Sequence, residues 1–330
     1  MVRFGIVGTG NITGEFVASA RVTGVAEPVA VFSRSQETGD AYARAQDIGH
    51  VFTSLEAMLD SGTVDAVYIA SPNALHAPQS MTCLERGIPV LVEKPAASNV
   101  RELDAVLALS ERKGVAYMEA LKSTLVPAFD AVREYLPKLG RIRHYFSSFC
   151  QYSSRYDAFL AGEYRTTFDR TLSNGSLMDI GVYCLYPAIH LFGLPQTIQA
   201  SAQLLSTGVD GGGSVLLGYE GMDAVILHAK NASSWLPTEI QGEKATLRIN
   251  KISQPRTVEI LFRDGWVEEL PIEMPEPFMC YEIREFVQLV ESGRTQSAIN
   301  THALSRGVLQ VMDEVRRQTG VRYPADDVQG

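Results

Sequence analysis

Through residue 122, short apolar runs alternate with stretches whose apolar residues recur at helical spacing. The runs are VRFGIVG (2–8), PVAVFSRS (28–35), VDAVYIASP (64–72), IPVLVEKP (88–95) and VAYMEA (115–120). Phe16, Val17 and Ala20 continue the first in helical phase; QETGDAYARAQ, HAPQSMTCLERG and NVRELDAVLALSERKG lie between the later ones. A parallel neighbour needs a crossover long enough to hold a helix, and a sheet covered on both faces takes strands that are apolar throughout. Residues 1–122 are therefore expected to form a doubly wound parallel α/β sheet. From about residue 123 the period changes. IRHYFSSFCQYSS, TIQASAQLLST, GSVLLGYEG, MDAVILHAKNAS, TEIQGEKATLRIN and TVEILFRDG are strand-like segments, and no helical pattern interrupts the last five. They predict an α+β domain over 123–330 with a large, mostly antiparallel open sheet. The amphipathic segments at 278–292 and 302–318 are expected to pack back between the domains, the 302–318 helix toward the first.

The totals narrow the function class. At 330 residues there is room for two domains, and 45% apolar with 20% charged residues fits a globular enzyme. A net charge of −9 disfavours nucleic acid or an anionic membrane as partner, since either needs a basic face. Cys83, Cys150, Cys184 and Cys280 form no CxxC pair, so neither a metal site nor a redox dithiol is suggested. No stretch approaches the roughly 20 apolar residues that span a bilayer. The chain enters VRFGIVGTG without a leader pattern, so a cytoplasmic location is expected.

Candidate chemistry gathers where the predicted strands end, the edge at which ligands lie in doubly wound sheets. Gly8 and Gly10 follow the first strand, and Asn11 and Ile12 open the helix after it. The first glycine permits the bend, the second lets a pyrophosphate approach the backbone, and the helix start supplies amide dipoles. Thr13 occupies the third position, where glycine or alanine is usual. After the second strand come Ser33 and Arg34 and no acid. An acid there would hold the ribose 2′-hydroxyl of NAD; a hydroxyl and a guanidinium suit the 2′-phosphate of NADP, so NADP is favoured with NAD possible. Ser71, Asn73 and His76 end the third strand. They either line the cofactor channel or cap and pack the next helix. Glu93 and Lys94 close the fourth, an expensive place for charges unless something there uses them.

With the glycine turn, SPNALH and EKP in this order, the chain resembles the Gfo/Idh/MocA oxidoreductases, and Glu93-Lys94-Pro95 matches their EKP motif. NGSLMDIGVYCLYPAIHLFG (174–193) is similar to the family's catalytic helix, in which an acid precedes a His or Tyr by four residues. Here the pair is Asp179 and Tyr183, on one helix face. The tyrosine resembles the branch with dimeric dihydrodiol dehydrogenases, NADP-linked xylose dehydrogenases and glucose-fructose oxidoreductase, as does YMEAL at 117–121. Two departures are Ser173-Asn174-Gly175 in place of a glycine run, and Lys122-Ser123-Thr124 where Trp and Arg are usual.

The resemblance implies a Rossmann domain, NAD(P)-dependent hydride transfer at a sugar, polyol or vicinal-diol carbon, and a homodimer or higher oligomer through the second sheet. It also implies roles. Tyr183 would exchange the substrate proton and Lys94 would tune it, because a nearby cation stabilises a phenolate. Asp179 would hold a neighbouring substrate hydroxyl or steady the lysine, and Glu93 would orient the strand end or touch the cofactor. Each has a plainer alternative: a core tyrosine, a loop lysine, a first-turn acid. Arg165 and Asp169, in YRTTFDR, are weaker substrate candidates. So is His190, on roughly the Tyr183 face but beyond Pro187, which should disturb the helix. The same fold hosts cofactor-assisted glycosidases and non-catalytic dinucleotide sensors. The six scattered histidines show no hydrolase-like cluster, and Lys94 with Tyr183 argues against a sensor.

Overall fold

The computed structural model describes residues 1–327. The chain divides into two compact units: Met1–Lys122 with Glu276–His302, and Ser123–Pro275 with the chain from Ala303 on.

In the first unit β1 (Val2–Val7), α1 (Asn11–Thr23), β2 (Ala26–Phe32), α2 (Gln36–Gln46), β3 (His50–Phe52), α3 (Leu55–Asp60), β4 (Ala66–Ile69), α4 (His76–Glu85), β5 (Val90–Glu93), α5 (Val100–Lys113) and β6 (Tyr117–Ala120) follow in order. The sheet runs β3-β2-β1-β4-β5-β6 and is parallel throughout, so the strand order reverses between β1 and β4. β4, β5 and β6 are buried at every position, as a doubly covered sheet requires. β3 and α3 have no counterpart in the apolar pattern. β3 is three residues long with none fully buried, and it is held by its pairing to β2 from Ala30↔His50 to Phe32↔Phe52. Local chemistry sets the helix ends. Asn99 accepts from Glu102 N at 3.0 Å while Glu102 accepts from Ser98 N at 3.0 Å, a reciprocal cap that starts α5.

The second unit opens with α6 (Pro127–Tyr135), β7 (Ile142–Cys150), α7 (Tyr156–Leu160) and α8 (Val182–Phe192). β8 (Thr197–Leu204), β9 (Asp210–Tyr219), β10 (Met222–Ala229), β11 (Thr238–Gly242), β12 (Ala245–Ile249), β13 (Val258–Phe262) and β14 (Val267–Glu269) complete its sheet. The strand order is β14-β13-β12-β11-β7-β10-β9-β8, antiparallel except for the β7–β10 pair. The expected architecture, a Rossmann sheet plus a large and mostly antiparallel one, is the one observed. TEIQGEKATLRIN resolves into two strands turning at Glu243-Lys244, and three-residue β14 left no trace in the pattern. α8 runs straight through Pro187. Proline cannot donate to the carbonyl of Tyr183, but residues 182–189 are all buried, and packing outweighs that loss.

After the sheet the chain returns to the first unit. α9 (Phe278–Glu291) places the Phe286 ring 5.9 Å from Phe4, and the Cys280 thiol 3.5 Å from Ser19 O on α1. Residues 276–302, anticipated as part of a continuous 123–330 domain, thus group with the Rossmann sheet. α10 (His302–Thr319), anticipated to pack toward the first domain, groups with the second unit from Ala303 on. Tyr186 and Ser305 hydroxyls lie 3.1 Å apart, and Gln318 bonds the β8 backbone at Ile198 and Ala200. The short α11 (Pro324–Asp327) follows.

Two glycines at positive φ predict different costs. Gly24 caps α1 at φ 68° with nothing within 4 Å of an added Cβ, whereas Gly8 has φ 113° and an added Cβ 2.7 Å from Ala70 O. Gly24→Ala is expected to cost about 1–2 kcal/mol of unfolding free energy. Gly8→Ala, with strain and overlap together, should cost about 3 kcal/mol or more. Urea titrations of the two variants check the order.

Candidate functional site

In the first unit the predicted cofactor residues sit along the carboxyl ends of β1, β2, β4 and β5. The approach of Gly8 to Ala70 O leaves no room for a side chain. Gly10 precedes α1 with no side-chain cap, and an added Cβ there meets nothing within 4 Å. The first amides of α1, at Asn11 and Ile12, thus have open space beside them at the positive end of the helix dipole. Thr13 departs from the glycine pattern without obstructing it: the residue is buried and its hydroxyl donates to Gly10 O at 2.7 Å. At the end of β2, Ser33 is buried, with its Oγ 3.4 Å from Ser35 N, while Arg34 is exposed. This uncapped helix start, the bare turn and an acid-free corner fit a dinucleotide.

His76 does not offer its ring to a ligand. It is buried, with Nδ1 2.8 Å from Pro95 O and Nε2 2.8 Å from Ser71 O, so it braces the end of β4 against the EKP turn. Burial lowers its pKa, the two carbonyls opposing. Ser71 Oγ donates to Gln79 Oε1 at 2.6 Å, and half-buried Asn73 accepts from His76 N through its carbonyl, opening α4.

The EKP turn separates its two charges. Lys94 is half-buried and precedes Pro95 through a cis peptide bond. Glu93 is buried and accepts from the Tyr68 hydroxyl at 2.5 Å. Tyr68 in turn stacks on Phe16 with ring centroids 3.8 Å apart, which fixes the donor. Burial pushes the Glu93 carboxyl above its ordinary range, while Lys94, the Tyr68 hydrogen bond and Lys122 pull it down. Glu282 of α9 completes this group. It is fully buried, and neither carboxyl oxygen has a hydrogen-bond partner. Burial first, then the charge of Glu93, hold Glu282 well above the usual range, Lys122 opposing.

In the second unit a π-turn at Leu177–Gly181 runs into α8 and carries Asp179 one turn before Tyr183. Leu177 N donates to Asp210 Oδ2 at 2.6 Å, and Ser176 Oγ lies 2.9 Å from His228 Nδ1. All three side chains, of Ser176, Asp210 and His228, are buried. Asp179 forms an ion pair with Lys230, its own side chain 38% exposed and that of Lys230 10%. Tyr183 is buried, its ring meeting Phe149 edge-on at 5.8 Å.

The weaker substrate candidates lie elsewhere in this unit. Arg165 pairs with Glu163, and Asp169 takes hydrogen bonds from Tyr164 and from Thr171 N and Oγ1. Burial raises the Asp169 pKa, but these bonds outweigh it and the net direction is down. Both residues line a cavity of about 320 Å³ with Phe159, Ser206 and Thr207, and neither Asp179 nor Tyr183 borders it. His190 turns toward α6: Nε2 is 3.3 Å from the Arg133 guanidinium and the ring meets Phe129 edge-on. Burial, then Arg133, lower its pKa to about 4, so it is a neutral packing residue.

Sequence reasoning missed Lys230, Glu282 and Lys122. The signal for Glu282 was present: in FMCYEIREFV it falls in helical phase with Met279 and Phe286, on the apolar face. Lys230 follows the strand MDAVILHA directly and reads as a turn residue.

A parallel sheet in this strand order with a bare glycine turn after its first strand is the frame of a dinucleotide-binding protein. Residues 2–121 match the Gfo/Idh/MocA model described as an oxidoreductase family with an NAD-binding Rossmann fold, and residues 131–248 match a Gfo/Idh/MocA C-terminal domain. The chain belongs to this family and is an NAD(P)-dependent oxidoreductase. It is 46% identical over 326 residues to scyllo-inositol 2-dehydrogenase (NADP(+)) IolU of Bacillus subtilis, covering 99% of both chains. It is 29% identical to trans-1,2-dihydrobenzene-1,2-diol dehydrogenase of Mus musculus, covering 98% of this chain and 99% of that one. Among solved structures, levoglucosan dehydrogenase with NADH and levoglucosan superposes at a TM-score of 0.86 over 97% of both chains, at 18% identity, a likeness of fold. Among the described residues no helix is long and apolar enough to cross a membrane.

Glu282 makes a pH prediction. In the unfolded chain it ionises near its ordinary value of about 4.3; in the folded protein it stays protonated to higher pH. The stability it contributes is full below the unfolded value and is lost as pH rises toward the folded pKa. Glu282→Gln is therefore expected to unfold at higher urea concentration than wild type at pH 8, the gap closing as pH falls to 4. A gap that is constant with pH contradicts it.

Proposed function

We propose that the protein is an NADP-linked dehydrogenase that oxidises one ring hydroxyl of a sugar or cyclic polyol, or reduces the corresponding ketone. What carries the proposal is the start of α8, which sets a half-exposed, ion-paired carboxylate at Asp179 one turn before the buried Tyr183. End-to-end similarity to an NADP-linked inositol dehydrogenase supports it.

The Gly8–Gly10 turn, the amides of Asn11 and Ile12, and the Ser33-Arg34 corner hold the dinucleotide. Bound NADP supplies the hydride acceptor. The remaining work is proton and orientation chemistry. Tyr183 takes the proton of the reacting hydroxyl and returns it in the reverse direction. A free phenol, with pKa about 10, is a weak base near neutrality, and a neighbouring cation brings it closer to use. Lys94 is assigned that part. Asp179, ion-paired with Lys230, accepts a hydrogen bond from a second substrate hydroxyl. Glu93 anchors the EKP turn from behind and takes no proton from substrate.

The assay is absorbance of reduced cofactor with scyllo-inositol, other inositols, aldoses and dihydrodiols, with NADP and NAD in parallel. Tyr183→Phe and Lys94→Ala should each lower kcat by about 10²–10⁴-fold while changing NADP affinity little. Near-normal rates in both would remove the assigned roles. Arg34→Ala should raise KM for NADP and leave KM for NAD within about twofold, as expected of a charge-assisted bond to the 2′-phosphate. Equal effects would move that phosphate elsewhere.

We further assign a homodimer to the outer face of the second sheet, where Leu216 and Val225, adjacent across β9 and β10, are exposed. An apolar centre on an open sheet suits a second copy. Leu216→Lys with Val225→Asp is expected to give monomer mass by light scattering. Unchanged mass excludes that face.

A further inference from the structure

Lys230 is a lysine whose side chain is only 10% exposed, at the end of a strand whose inward neighbours are apolar or histidine. Ala224, Ile226 and His228 precede it at two-residue intervals on the covered face of β10 and are buried. The ladder carries one residue past β10: Lys230 N donates to Gly211 O at 2.7 Å, and Ser153 N donates to Lys230 O at 2.8 Å. Its backbone is thus fixed from two sides, and its ammonium meets the Asp179 carboxylate.

A structural explanation is available and is insufficient. The π-turn is already held at Leu177 N by Asp210 and at Ser176 by His228, and residues 182–189 behind it are all buried. Desolvating an ammonium costs several kcal/mol that a pair recovers only with good geometry, and apolar side chains of similar volume often serve as well. A lysine brought to the half-exposed carboxylate is better explained by what the two charges present together.

Resting on the dehydrogenase reading, we propose that Lys230 and Asp179 form a donor–acceptor pair that reads one neutral hydroxyl of the substrate, next to the hydroxyl being oxidised. The carboxylate accepts that hydroxyl's proton and the ammonium donates to the same oxygen. Only an uncharged O–H satisfies both partners. A carboxylate or phosphate at that position has no proton to give Asp179 and is repelled by it, and a deoxy carbon leaves both charges short of a partner. The substrate class that follows is a neutral vicinal polyol, rather than a sugar acid, a sugar phosphate or an isolated secondary alcohol.

The test compares kcat/KM for the best cyclic polyol of the panel with its analogue deoxygenated beside the oxidised carbon. Wild type is expected to prefer the polyol by about 100-fold or more, since sites built around a substrate hydroxyl reject analogues that lack it. Lys230→Met should remove most of that preference, slowing the polyol at least about tenfold more than the deoxy analogue, with Lys230→Arg recovering part of the loss. Equal slowing of both substrates, or no change in either, overturns the inference. If wild type turns over nothing on the panel with either cofactor, the dehydrogenase reading fails by itself. The pair is then judged by calorimetric titration of scyllo-inositol into NADPH-loaded wild type and Lys230→Met. Binding weakened at least tenfold by the substitution upholds it; equal binding, or none to wild type, overturns it.

Discussion

The hydrogen bond from Tyr68 to Glu93 is the contact that lets a buried strand end in charges. Glu93 continues the apolar run of β5, so its carboxyl lies inside the unit, where an unpaired charge is costly. A phenol clamped by stacking on Phe16 supplies one partner, and Lys94 and Lys122 supply opposing charge. Once Glu93 is anchored there, the next residue begins the turn, and half-buried Lys94 stands at the sheet's carboxyl edge. His76 fixes the far side of that turn through Pro95 O. Position of the candidate catalytic cation is thereby delegated to groups that do no chemistry themselves.

The two units solve the problem of polar groups in apolar surroundings differently. Around the π-turn of the second unit the buried groups pair with complementary ones: Asp210 Oδ2 with a backbone amide, His228 with a serine, Lys230 with a carboxylate, and only Asp210 Oδ1 among these lacks a hydrogen-bond partner. Around Glu93 the balance is reached partly by protonation, since Glu282 offers its neighbour neither a hydrogen bond nor an opposite charge. Retaining such an acid costs stability near neutrality, and a glutamine of nearly the same shape would remove that cost.

What the sequence made legible follows from the range of the forces involved. The Rossmann sheet was readable because its strands are buried on both faces, which writes an unbroken apolar run into the chain. β3 and β14, three residues each, owe their conformation to pairing with a neighbour and leave no run to find. Lys94, Asp179 and Tyr183 were singled out as candidates by motif and spacing. Lys230 lies 51 residues from its partner, and nothing local distinguishes it from a turn lysine. His76 and His190 are the cases the sequence left open. Both stand at positions that suit a ligand, and three-dimensional packing turns one toward two carbonyls and the other toward Arg133.

The return of residues 276–302 to the first unit also bears on how the chain is made. α9 brings Phe286 to Phe4 and Cys280 to α1, so part of the apolar surface of the Rossmann sheet is covered by residues synthesised more than 150 positions later. A ribosome that has released residues 1–122 has made all six strands of that sheet but not the helix that finishes its core. The whole second sheet must emerge before the first unit can close. The Rossmann sheet thus carries an unfinished apolar face from the release of its last strand until α9 has been made.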